Sequence, residues 1–351
     1  MVERLDPARM DRMARDLCAV VGQGVDMDEL AEAVSQAVAR VVAHDALRVT
    51  ASNPAGGVGS FSFAHRYEPD IIQAVLQSDY VTGGPCSWPD LARRPVPAGV
   101  VGAGDGRRDR VMRRLFSAHG VGCELRLLLS DTRGIWGSFG LLRAQGSATF
   151  DEEDVRRAAC LGPVLKAVLR RYVTAGPLTP VIPAFPTGVL IVGPDYKIRA
   201  TTPQARTWLK QVQDTTCAPN RIGRTFMAIL ATQAREHARD PRIYPPVTLA
   251  PATCHGRWVA CQAQPLDDGT ENVAITIQAA AGGLLLPSFC DWYGITTRER
   301  QALEHLCTGA ATKQIARRLG ISEHTVNDHL KAVMRKTGAS GRDELLAAIT
   351  S

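Results

Sequence analysis

Apolar residues recur at helical spacing at both ends of the chain and form short strand-like runs between them. Near the N-terminus Met10, Met13, Leu17, Val20 and Val21 share one side of a helix, and Leu30, Val34, Val38 and Val41 do so again behind the N-cap candidate Asp26. Two helices therefore open the chain. The stretches "ALRVTAS" and "VGSFSF" have strand character, "PDIIQAVLQSDY" has helical character, and the Gly-, Pro- and Arg-rich region from Gly83 to Asp109 is expected to be a long loop. In "GCELRLLLSDTRGIWGSFGLLR" two apolar strands flank the turn Asp131-Thr132-Arg133-Gly134, which predicts a hairpin. "FDEEDVRRAACLGPVLKAVLRRY" predicts a helix with Asp151 as N-cap and Val155, Leu161, Val164, Leu165 and Val168 on its inner face, kinked at Pro163.

Residues 174–186, "TAGPLTPVIPAFP", contain four prolines and no charged side chain, the composition of an inter-domain linker. Beyond it, "TGVLIVGPDYKIRATTPQARTWL" predicts strand, turn, strand and a helix opening near Pro203. Three more strands are expected at "YPPVTLAP", "GRWVACQAQP" and "ENVAITIQA", with the turn Asp267-Asp268-Gly269 between the last two and "AAAGGLLLP" linking to the C-terminal region.

That region carries the strongest local signals. Thr296 and Glu299 have capping-box spacing before Leu303 and Leu306, which starts a first helix. A second follows with Ile315, Ala316 and Leu319 inward, stops at Gly320, and is separated by a few residues from a third that begins at the N-cap candidate Ser322. Such a short connection is what a helix-turn-helix requires. "GRDELLAAI" predicts a fourth helix, with Leu345, Leu346 and Ile349 closing a small core. Plotted on a helix, residues 321–338 have Val326, Leu330, Val333 and Thr337 on one stripe and His324, Asp328, Lys331 and Arg335 opposite. Asn327 lies on one flank, and Thr325, His329 and Lys336 lie on the other.

The C-terminal pattern resembles the LuxR-type (NarL/FixJ) DNA-binding domain over residues 294–350. The matching residues are T-x-R-E at 296–299, Gly309, K-x-I-A at 313–316, L-x-I-S-E at 319–323, Thr325-Val326, His329, Lys336 and R-x-E-L at 342–345. The resemblance implies that the third helix enters the major groove, with Asn327, Asp328 and Lys331 facing base edges and Thr312, Lys313, Thr325, His329, Arg335 and Lys336 facing the phosphate backbone. For His329 a core or phosphate-side role is an equal alternative to base reading, and Asp328 can pair with Lys331 instead of a base. Two positions depart from the family pattern. Ala311 stands where a Ser cap is common, with Thr312 as a substitute, and Thr337 replaces an apolar residue. The region 1–173, with helices first, a hairpin-bearing sheet and an acidic-capped helix, resembles a GAF domain, and 187–281 resembles a PAS domain.

The resulting expectation is a multidomain chain. It comprises an α+β GAF-like sensor domain at 1–173, a linker at 174–186, an α+β PAS-like sensor domain at 187–281 and an all-α, four-helix helix-turn-helix domain at 288–351. A chain of 351 residues has room for this many cores. The formal charge of +6 is concentrated C-terminally, where residues 292–351 hold nine Lys/Arg against six Asp/Glu, which favours an anionic partner such as duplex DNA. The nine cysteines are scattered without a C-x-x-C pair, so neither a disulfide framework nor a zinc module is expected. Together with a charged, amphipathic N-terminus and no membrane-spanning run, this predicts a cytoplasmic protein with reduced thiols.

Motifs for other chemistry fall short. "GAGDG" at 102–106 lacks the Gly-Lys-Ser/Thr ending of a phosphate loop, and Cys254, His255 and Cys261 have no fourth ligand nearby. No catalytic arrangement, receiver-type acidic pair or acyl-lactone pocket pattern is present, so the chain is read as a non-enzymatic regulator that binds DNA as a homodimer, with no cofactor predicted. Its sensors are expected to respond to a small-molecule effector or a partner. The helices at 3–21 and 151–172 are candidates for the dimer seam. The alternative is a haem, redox or other cofactor-binding sensor with a secondary DNA-binding output.

Overall fold

The computed structural model describes residues 6–54, 59–81, 83–215, 220–267 and 269–351. The first unit opens with α1 (Pro7–Gly22) and α2 (Met27–Ala39), the latter started by a reciprocal capping box between Asp26 and Glu29. Strands β1 (Ala46–Ser52) and β2 (Gly59–His65), helices α3 (Pro69–Val81) and α4 (Trp88–Ala92), strand β3 (Ala98–Val101) and helix α5 (Arg107–Ala118) follow. The hairpin β4 (Val121–Asp131) and β5 (Gly134–Ala144) and helices α6 (Glu152–Cys160) and α7 (Gly162–Ala175) complete it. The strands form one antiparallel sheet in the order β2-β1-β5-β4-β3. Alternation along the long hairpin sends Leu125, Leu127, Leu129, Phe139 and Leu141 to the core shared with α1, α2 and α7, and Leu128 and Leu142 to the core under α3, α4 and α5.

The first unit departs from expectation at two points. Residues 83–109 are not a long loop: they contain α4, β3 and the start of α5. These elements are short, and α5 buries only Met112 and Phe116 among many arginines, so no apolar period marks it. Pro163 does not kink one helix but separates two, because α6 ends at Cys160 and Pro163 occupies the first turn of α7, where its missing N–H has no helical partner to lose.

The α3 side of the sheet also buries charge, which the sequence did not announce. Arg126 pairs with Glu124 at 2.6 Å and with Asp79 at 2.9 Å, and Arg48 approaches Glu124 at 3.9 Å, all in the interior. Burial pushes the Asp79 carboxyl up, and the adjoining Arg126 opposes that shift. Breaking such a network by removing one charge is strongly destabilising even where the intact network adds little.

The second unit repeats the arrangement. Strands β6 (Gly188–Val192) and β7 (Ile198–Thr201), helices α8 (Pro203–Thr215) and α9 (Asn220–Arg239), strand β8 (Val247–Ala250), helix α10 (Ala252–His255), and strands β9 (Val259–Pro265) and β10 (Val273–Ala279) follow in turn. Their sheet order, β7-β6-β10-β9-β8, is that of the first sheet: second, first, fifth, fourth, third. Leu190, Val192, Trp208, Leu230 and Ile275 fill its core. The expected turn residue Asp268 lies outside the described residues. The two units touch where α3 packs on α9 and where Thr248 Oγ1 donates to the Gly59 carbonyl at 3.1 Å.

The stretch expected to link to the C-terminal region is instead helix α11 (Gly282–Trp292), which buries Leu285, Leu286, Phe289, Cys290 and Trp292. It is followed by α12 (Thr297–Cys307), α13 (Thr312–Leu319), α14 (Glu323–Thr337) and α15 (Arg342–Thr350). Trp292 anchors this assembly. Its Nε1 donates to Asn53 Oδ1 at 3.1 Å, while Asn53 Nδ2 donates to the Leu249 carbonyl at 3.2 Å, so one buried asparagine joins the first sheet, the second sheet and α11. Among the described residues no helix is long and apolar enough to cross a membrane.

Candidate nucleic-acid interface

Caps and a narrow apolar seam position α14. Thr296 and Glu299 close the start of α12 reciprocally, as their spacing predicts. Gly320 ends α13 with φ of 66°, a left-handed conformation that a side chain would resist. Ser322 Oγ accepts the Thr325 N–H at 3.0 Å and starts α14 two residues later. Val326, Leu330 and Val333 are fully buried against the core that also holds Leu303, Leu306, Ile315 and Leu345. With that stripe buried, the opposite face of α14 is held out to solvent.

On that face Lys331 and Arg335 are exposed, and neither has a hydrogen bond or ion pair to another described residue. His324 and Asp328, also exposed, pair with each other at 3.3 Å. The internal partner of Asp328 is thus His324 and not Lys331, because one helical turn back places the imidazole beside the carboxylate. Asn327 is half-buried and engaged: Arg342 Nη2 donates to its Oδ1 at 2.7 Å, and Arg342 Nη1 donates to Thr312 Oγ1 at 3.1 Å. Arg342 therefore orients two predicted DNA-facing residues from the start of α15. Sequence spacing carried no sign of this, since fifteen residues separate Arg342 from Asn327.

The residues assigned to the backbone divide. Lys313 is exposed on the first turn of α13, Thr325 is half-buried with its hydroxyl 2.8 Å from Ser322 Oγ, and His329 is half-buried. Exposed Arg317 and Arg318 add two positive charges on α13 that the sequence reading passed over. Lys336 is turned inward. Its Nζ donates to Glu299 Oε2 at 2.6 Å and to the Gly294 carbonyl at 3.0 Å, so a phosphate would have to compete with a carboxylate for it. Burial pushes Glu299 up, but the bonds from Lys336 and Thr296 outweigh it and hold the carboxyl below its ordinary value.

Both departures from the family pattern are accommodated. Ala311 supplies no side-chain cap, and Thr312 does not replace it; Gln314 Oε1 accepts the Ala311 N–H at 3.1 Å instead. Thr337 sits in the seam with its hydroxyl donating to the Val333 carbonyl at 3.0 Å, so its polar atom is not left unpaired.

A sequence profile for bacterial regulatory proteins of the luxR family, GerE, matches residues 294–348, which span α12 to α15. The spore germination protein GerE of Bacillus subtilis is 40% identical over 55 residues, 16% of this chain and 74% of that protein. The chain belongs to the luxR family of bacterial regulatory proteins. Its luxR-type module makes this a DNA-binding regulator of transcription. Two relatives from Escherichia coli also match. The putative HTH-type transcriptional regulator YhjB is 27% identical over 117 residues, 28% of this chain and 58% of that protein. The transcriptional regulatory protein UhpA is 47% identical over 51 residues, 14% of this chain and 26% of that protein.

Among solved structures, a phycoerythrobilin-bound GAF domain from a cyanobacterial phytochrome aligns with TM-score 0.30 and 13% identity, over 48% of this chain and 96% of that one. The photosensory core module of Stigmatella aurantiaca phytochrome aligns with TM-score 0.30 and 15% identity, over 66% and 46%. These likenesses are too slight to bear on what the chain binds.

Within the second unit, His255 is buried and burial pushes its imidazole down to about 4, so it is neutral at physiological pH. Cys254 Sγ lies 3.8 Å from Tyr172 Oη in the same interior, and burial pushes the Cys261 thiol up to about 12. These side chains behave as small buried groups.

Proposed function

We propose that this luxR-family chain is a sequence-specific regulator that binds duplex DNA as a homodimer through α14. The observation that carries the reading is the two-faced α14: a buried seam of Val326, Leu330 and Val333, and an outer face with Lys331 and Arg335 free to meet DNA. A helix of this width fits the major groove, where Lys331 reaches guanine O6 and N7 and Asp328 accepts from cytosine N4. Asn327, held by Arg342, approaches adenine with its amide already oriented. Lys313, Arg335, Thr325, His329 and Thr312 flank the reading positions and serve the phosphates, and Lys336 joins them only by leaving Glu299.

The two N-terminal units are read as sensors, GAF-like at 1–173 and PAS-like at 187–281, responding to a small molecule or a partner and acting on a four-helix helix-turn-helix domain. The helix order and acidic-capped α6 support the first assignment, and the strand–turn–strand–helix opening supports the second. Residues 174–186 connect the sensors, and α11 joins the second to the DNA-binding module, which extends to residue 351.

Selection of bound sequences from random duplex DNA by the full chain at moderate salt tests this. An enriched inverted repeat is expected, since two copies multiply a modest single-module affinity. Absence of enrichment at both low and moderate salt would overturn the reading.

A further inference from the structure

A cleft of about 460 Å³ runs between α7 and the β4–β5 hairpin, lined in part by Asp131, Trp136, Lys166, Ala167, Arg170 and Arg171. Its charge is unbalanced, with three cationic side chains among these residues and one carboxylate. Lys166 is answered by Asp131 at 3.4 Å and by the Ser130 carbonyl at 3.0 Å. Arg170 and Arg171 make no ion pair among the described residues; burial and repulsion from Arg133 hold the Arg170 guanidinium below its ordinary value, against the pull of the Asp131 and Asp291 carboxylates. Lys166, Arg170 and Arg171 outnumber the one carboxylate among these residues, and an excess of cations in a partly shielded cleft attracts an anion.

Arg170 also holds the route to the DNA-binding helix. Its Nε donates to the Trp292 carbonyl at 2.8 Å and its Nη2 to the Asp291 carbonyl at 3.0 Å, which caps the negative end of α11. Its guanidinium carbon stands 5.5 Å from the centre of the Trp136 ring, and Trp136 meets Trp292 edge to face at 5.0 Å. Two residues after Trp292, the Gly294 carbonyl accepts from Lys336 in the last turn of α14. The cleft is thus two contacts from the proposed reading helix.

We propose that this cleft is an effector site for a small oxyanion of two or more negative charges, phosphate- or carboxylate-bearing, held by Lys166, Arg170 and Arg171. An anion that draws Arg170 toward itself weakens the cap on α11 and shifts the turn that Lys336 holds, which changes DNA affinity. The inference rests on the sensory half of the proposed function. Its binding test uses no DNA, so it fails or succeeds apart from the DNA-binding reading.

The probe is pyrophosphate, titrated into the full chain at low ionic strength with sodium chloride of matched ionic strength as the control. Tryptophan emission is followed, because Arg170 lies over Trp136 beside Trp292. A saturable change is expected, weakened about tenfold or more in Lys166→Gln and Arg171→Gln, as loss of a charge-assisted hydrogen bond requires. Arg170→Gln is a third variant, but it also uncaps α11, so the first two keep the test sound if it misfolds. With a selected operator present, saturating pyrophosphate is expected to change the DNA dissociation constant at least about threefold, an effect of ~0.7 kcal/mol.

No emission change up to millimolar pyrophosphate in the folded protein would overturn the proposal, as would a change that survives both Lys166→Gln and Arg171→Gln. Binding without an effect on DNA affinity would overturn the coupling. Weakened DNA binding in these variants with no pyrophosphate bound would make the cleft a DNA-backbone contact instead.

Discussion

Replacing Lys336 by Met separates two roles that the sequence alone treats alike. If Lys336 is an internal tether, Lys336→Met leaves Glu299 with the Thr296 N–H but without its cation. Breaking a fully buried pair costs about 3–5 kcal/mol, but here the lysine side chain keeps 27% exposure and the glutamate 9%, and one hydrogen bond survives. Allowing for that solvent screening, the expected loss is about 1–2 kcal/mol. The assay is urea unfolding of the full chain, followed by a probe of the C-terminal module, for Lys336→Met, Glu299→Gln and the double variant. A coupling of about 1 kcal/mol or more is expected between the two sites.

The pH dependence has a definite sign. Glu299 is depressed in the folded state, so its contribution is full above the unfolded carboxyl value of about 4.3 and is lost as pH falls through the lower folded value. In Lys336→Met the acid-side loss attributable to Glu299 shrinks. DNA binding supplies the opposing test, because a lysine that neutralises a phosphate contributes about 0.9 to the slope of log affinity against log salt. Unchanged stability with a slope reduced by that amount would refute the tether.

Other perturbations follow from the same geometry. Lys331→Ala is expected to cost about 1–3 kcal/mol at the selected operator and to relax specificity there, whereas Lys313→Ala weakens all sequences alike and lowers the salt slope by about 0.9. Quantitative binding to operator and scrambled duplexes distinguishes them, and equal small effects would count against the assigned roles. Trp292→Phe removes the donor to Asn53 Oδ1 in the interior and is expected to lower the urea-derived stability by about 1–3 kcal/mol. Leu330→Ala, at a fully buried seam position, is expected to destabilise the C-terminal module by about 2–5 kcal/mol, seen as a lower melting temperature and loss of DNA binding together.

Local interactions made much of this protein legible in its sequence. The caps at Asp26, Asp151, Thr296 and Ser322 act over three residues, and all four accept the backbone N–H their spacing predicts. The seam of α14 follows from helical period alone, because Val326, Leu330 and Val333 recur every three or four residues. The long hairpin is legible as two apolar runs around a visible turn, and both of its faces are buried. Where a helix lacks such a period, as α5 does, or where glycine and leucine can belong equally to a link or a helix, as in α11, sequence reasoning failed.

What only the tertiary structure decided is which polar groups are free. Lys331 and Lys336 lie on the same helix with the same charge, but one extends to solvent and the other is bound to Glu299, thirty-seven residues away in sequence. Asn327 is oriented by Arg342, and Asn53 and Trp292 meet across 239 positions of sequence. A hydrogen bond depends on distances of about 3 Å, and chain spacing constrains such distances only within a few residues of itself. The periodic, short-range part of the fold was therefore written in the sequence, while the partners that direct each charge inward or outward were set by packing between segments.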